Sequence, residues 1–175
     1  QWENTVQDLF GFSAPTGLSE NFREDPKVAG FIFDNDATAL EVDSALWTGY
    51  RIAAGEVAVL VTEDADVLAG LTPPDGGSED ERIDSFVRDF AERAYRRPPS
   101  EDEVADLVGL FNAAPSLYPE VEDPFTAGIR HVVEAVLQSP HFLYRVEHSE
   151  LVVDGVIPLD DYELASRLSY FLWNS

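Results

Sequence analysis

Three histidines, His131, His141 and His148, are the only imidazoles in this chain, and it has no cysteine. Thiolate metal sites, disulfides, cysteine nucleophiles and covalent haem attachment are therefore excluded within these residues. His131 and Glu134 stand three apart, which places an imidazole and a carboxylate on one helical face. Two ligands do not make a metal site, and no His-Glu-x-x-His pattern, phosphate-binding glycine loop or Gly-x-Ser-x-Gly elbow completes one. The plain expectation for each histidine is a hydrogen-bonded or solvated side chain.

Asp34-Asn35-Asp36 offers alternating oxygen side chains, the ligand type of Ca²⁺, with Glu41 or Asp43 available to fill the shell. The plainer reading of the same three residues is an Asx-turn that caps local backbone. Arg145 and Arg167 lie among apolar and aromatic residues, with Glu147 and Glu163 as the expected ion-pair partners. An anion clamp is the functional reading of these four, and a structural network joining modules is the expected one. Arg93, Arg96 and Arg97 sit where a helix C-terminus favours cations. The aromatics Tyr95, Phe142, Tyr144, Tyr170, Phe171 and Trp173 suit core packing better than a carbohydrate platform or an electron path.

The elements that carry these residues read as mostly α. Trp2, Val6, Leu9 and Phe10 share a helical face, stopped by Gly11. Residues 12–43 are irregular. Asp43 or Ser44 caps a helix over about 44–62, and residues 70–79 form a Gly/Pro-rich linker. Ser78 with Glu81 and Ser100 with Glu103 are capping boxes. They open two helices that Arg96-Arg97-Pro98-Pro99 folds into a hairpin. Pro124 starts a helix to about Leu137, which Ser139-Pro140 breaks. Leu151 to Ile157 predicts a β-hairpin around Asp154-Gly155. The last segment carries Leu164, Leu168, Phe171 and Leu172 at helical spacing, with no Gly, Pro or Asn-Gly stop before Ser175. It reads as a helix cut short, in the front part of a longer polypeptide or in one chain of a cleaved protein.

Net charge is −23, with 34 acidic and 11 basic residues. Such a surface repels phosphate backbones and anionic lipid, so nucleic acid is not an expected partner. No run reaches the ~20 apolar residues of a membrane span, so membrane insertion is not expected either.

Three blocks carry a resemblance. They are Asn4 to Leu9 with Gly30 to Ala37; Phe90 to Pro98 with Gln138 to Glu147; and Tyr162 to Trp173. They resemble successive modules of the large, uncharacterised secreted proteins of the planctomycete-type cytochrome-associated class. The resemblance implies an extracytoplasmic protein, a c-type haem carried only on a segment outside this chain, and further domains downstream. Two departures stand out. A cysteine pair that many relatives place near the linker is absent around Gly70–Ile83, and the third module stops at its beginning. The expected modules are 1–69, 78–148 and 151–175. The leading function is a structural or interaction module of a larger extracytoplasmic assembly. Its partner, the rest of the polypeptide or a separate chain, would cover the 159–175 helix. The alternatives are part of a haem-linked redox enzyme acting on an extracellular polymer, and a calcium-stabilised assembly subunit.

Overall fold

The computed structural model describes residues 1–23, 42–74, 76–145, 152 and 155–175. Among them the chain is α-helical: α1 (Trp2–Phe10), α2 (Ser44–Glu63), α3 (Ala65–Leu71), α4 (Glu79–Tyr95), α5 (Glu101–Leu117), α6 (Pro124–Gln138), α7 (Pro140–Leu143) and α8 (Asp161–Trp173), with a 3₁₀ turn at Leu18–Asn21.

Local signals set most of the helix ends. Gly11 adopts φ 69° after α1, and the Phe12 amide returns to the Gln7 carbonyl at 3.0 Å. Asp43 accepts from the Leu46 amide at 2.8 Å. Ser78 and Ser100 each close the reciprocal capping box that their spacing to Glu81 and Glu103 predicts. Asp64 ends α2 and caps α3, a helix that the sequence reading omitted. Ser139 is extended, ends α6 and caps α7, so Pro140 breaks the helix by starting a new one. Glu3 fixes the start of the irregular segment by accepting from the amides of Thr16, Gly17 and Ser19.

The centre of the core is α6. Ile129, Val132, Val133, Val136 and Leu137 are fully buried between α2 and α5. The small residues Ala54 and Ala58 on α2, beside Val57 and Val61, belong to the same buried cluster. On the other side Gly128 lies under the Phe111 ring, where a Cβ would overlap the ring atoms. Phe86, Phe90 and Phe10 extend this cluster by ring stacking at 5.7 and 5.8 Å and tie α1 to α4. The expected α4–α5 hairpin forms, and Arg88 clamps it by donating to both Glu101 oxygens at 2.9 and 2.7 Å.

Two expectations need correction. The β-hairpin at 151–157 is not borne out. Gly155 keeps its turn at φ 79°, but Val152, Val156 and Ile157 are solvent-exposed and no strand exists among the described residues. Without an apolar surface beneath them, alternating side chains give a two-stranded ribbon too little burial to hold it. The last helix is also not left open. Asn174 adopts the left-handed conformation at φ 60° and its amide donates to the Tyr170 carbonyl at 3.1 Å. Asn tolerates that conformation and serves as a C-terminal stop by itself, without a following glycine.

Candidate functional site: the α8 junction

Asp160 caps α8, accepting from the Glu163 amide at 2.7 Å, while Glu163 accepts from the Asp160 amide at 2.9 Å. This capping box turns Glu163 inward, where it is 8% exposed. Ser166, Ser169 and Tyr170 are also at least partly covered. The opposite side carries Leu164 and Leu168 at 49% exposure, Leu172 at 59% and Phe171 at 85%, and Trp173 at the helix end is 69% exposed. Thus α8 lies with its polar stripe toward the body and its apolar stripe toward solvent. That is the reverse of a surface helix in a closed fold.

Tyr170 is the anchor. Its oxygen accepts a hydrogen bond from the Arg96 guanidinium and lies 3.2 Å from Thr5 Oγ1. Thr5 Oγ1 donates to the Gln1 carbonyl at 3.2 Å, so the phenol proton points to Thr5. Asn4 Nδ2 donates to the Asn174 carbonyl at 3.4 Å. The end of α4, the start of α1 and α8 thereby meet at one ring. Arg96 stands 4.8 Å and Arg145 4.5 Å from its centroid, and Arg96 also stands 5.9 Å from the Phe142 ring. Burial moves the Arg96 guanidinium below the usual arginine range, and the like charge of Arg145 adds to it. Arg96 holds this place from a left-handed backbone, φ 58°, which is uncommon for a residue with a Cβ.

Arg145 stacks on Tyr170, and Arg167 is exposed on α8. Glu163 closes the capping box. Glu147, Asp34, Asn35, Asp36 and Glu41 lie outside the described residues. Tyr170 and Arg96 were visible only as one aromatic in a cluster and one cation at a helix end. Their convergence had no sequence signal, because 74 residues separate them.

His131 and Glu134 do meet, through a third group. The Tyr118 hydroxyl donates to Glu134 Oε2 at 2.6 Å and lies 3.1 Å from His131 Nδ1. One hydroxyl proton serves one acceptor, so the His131 tautomer here carries its proton on Nδ1 and donates to the phenol oxygen. Burial first, and the Glu134 hydrogen bond second, push the Tyr118 phenol well above its usual range. This is a locked bridge between α5 and α6. Among the described residues no group of three metal-ligating His, Cys, Asp or Glu side chains forms. A second polar junction joins α4, α5 and α7. Arg97 donates to both Glu103 oxygens at 2.9 and 2.7 Å, and His141 Nε2 stands 3.2 Å from Glu103. The Arg97 hydrogen bonds are the main cause that holds the Glu103 carboxyl down at about 2.

No described helix is long and apolar enough to cross a membrane. No curated protein and no solved structure matches the chain. Residues 1–63 match the model described as PSD3, protein of unknown function (DUF1587), which ends where α2 ends. Residues 82–147 match PSD5, protein of unknown function (DUF1595), and α8 lies beyond both matches. The two successive matches put the chain in an uncharacterised multi-domain family assembled from domains of unknown function.

Proposed function

We propose that this chain is an interaction module of a larger extracytoplasmic protein or assembly, with α8 as its docking element. The observation that supports it is the inverted burial of α8, which leaves Leu168, Phe171, Leu172 and Trp173 facing out while its polar stripe is tied down. Contiguous apolar surface of this kind marks an interaction site. The occupant is protein rather than lipid, because a net charge of −23 opposes approach to an anionic bilayer. Placement outside the cytoplasm rests on the resemblance drawn from the three sequence blocks. No observation on the described residues favours the redox or the calcium alternative.

The test is the behaviour of the chain with its outer face altered. The parent protein should bind a hydrophobic dye and associate as concentration rises. The double variant Leu168→Asp, Phe171→Asp should do neither while keeping the same melting temperature, since both side chains already face water. A parent protein that stays monodisperse and dye-free at high concentration would overturn the reading. So would a double variant that unfolds, because the face would then be internal.

A further inference from the structure

Cations are scarce in this chain, 11 against 34 carboxylates, and at least half of the ten arginines pair with one of those carboxylates. Arg23, Arg88, Arg93, Arg97 and Arg130 each stand within ion-pair distance of an Asp or Glu. Arg96 and Arg145 do not, and they lie together on one aromatic ring. Among the described residues Arg96 donates to the Tyr170 oxygen and, at 3.5 Å, to the Ala94 carbonyl. Arg145 makes no hydrogen bond to any described residue, and its side chain is exposed. Two like charges held close in a protein with threefold excess of anions cost energy unless something offsets them. The ring supplies part of that offset by cation–π attraction. It leaves available to an acceptor the N–H groups of Arg145 and those of Arg96 that are not given to Tyr170 and Ala94.

We propose that Arg96 and Arg145, both held against the Tyr170 ring, form a receptor site for a single carboxylate. A guanidinium fork matches the two oxygens of a carboxylate, and the ring holds both forks in place before the ligand arrives. The choice of a monoanion follows from the rest of the surface. Repulsion by a net charge of −23 grows with the charge of the ligand, so sulfate and phosphate dianions are opposed about twice as strongly as a carboxylate. The site lies at the root of α8, but it does not depend on the docking role of the outer face. The carboxylate could belong to a small acid or to an acidic side chain.

The experiment is an NMR titration of the whole chain that follows the arginine Nε–H signals and the Tyr170 ring, with sodium acetate against sodium chloride and sodium sulfate at matched ionic strength. Acetate should shift both arginine signals saturably, chloride only linearly, and sulfate no more than chloride. Arg145→Gln should weaken acetate at least tenfold, and Arg145→Lys should recover part of it. Arg96→Gly removes the other guanidinium while suiting the left-handed backbone, and should weaken acetate similarly in a folded protein. N-acetylglutamate amide, which carries only a side-chain carboxylate, distinguishes the two sources. Binding it as well as acetate fits an acidic side chain, and binding acetate alone fits a small acid. A linear acetate response equal to chloride overturns the proposal. So does saturation that survives both Arg145→Gln and Arg96→Gly, and so does a preference for sulfate. Loss of dye binding by the α8 surface variants, with acetate saturation retained, would separate this site from the docking reading.

Discussion

Helices α6 and α8 begin alike and end in opposite situations. Asp123 and Asp160 cap them, accepting from the third amide at 2.9 and 2.7 Å. Both carry an apolar stripe. In α6 that stripe, Ile129 to Leu137, is fully buried between α2 and α5, with Gly128 allowing the Phe111 ring to close in. In α8 the stripe faces water and the polar side is attached. Burying a Leu or Phe side chain is worth about 1.5–3 kcal/mol, so α6 is held by area. A set of hydrogen bonds and cation–π contacts worth about 1 kcal/mol each holds α8. The pair teaches that helical periodicity declares a sticky face but not whether the chain itself covers it.

The largest effect should come from closing the gap that α6 exploits. Gly128→Ala puts a Cβ into the Phe111 ring and should cost roughly 1–3 kcal/mol or more. Gly109→Ala, on the open side of α5, meets no atom and should be neutral or stabilising by about 0.5–1 kcal/mol. Chemical denaturation of the two variants measures the difference. Equal effects would mean that α5 and α6 are not in close contact, and the contrast with α8 would fail.

Between the extremes lies a junction held by charge. Glu103 has its carboxyl at about 2, below its ordinary 4.5, so its bonds to Arg97 contribute fully above about pH 4.5 and are lost as pH falls toward 2. Glu103→Gln keeps a capping side chain but removes the charge, and should cost roughly 1–3 kcal/mol at pH 7. Stability of parent and variant should converge between pH 5 and pH 2. A difference that stays constant over that range would remove the ion pair from the account.

The smallest global effect belongs to the α8 anchor. Tyr170→Phe deletes the hydroxyl that Arg96 and Thr5 share and should cost about 1 kcal/mol. Its signature is local: amide exchange across α8 should accelerate while α6 amides are unchanged. Acceleration in both helices would show that α8 is part of the cooperative core, and the comparison would collapse.

What was legible in the chain follows its range. Gly11, Asp43, the two serine capping boxes and Ser139-Pro140 act within four residues, and each marks a helix boundary that is found. Asn174 acts as locally, but a lone Asn is a weaker stop signal than Gly. Val152, Val156 and Ile157 show the limit of alternation, because strands need a surface and none is present there. Placing His131 beside Glu134 was a helical matter, readable from spacing. Inserting Tyr118 between them was not.

Local signals therefore determined by themselves the α class, most helix boundaries and the existence of an apolar stripe on the last helix. Only the tertiary structure decided that α6 would bury its stripe and α8 would not, and that Arg96, Arg145 and Thr5 would gather at Tyr170. The physical reason is distance along the chain. Capping and periodicity are settled among neighbours, whereas burial and charge pairing are settled by whichever surface arrives from 74 or 165 residues away.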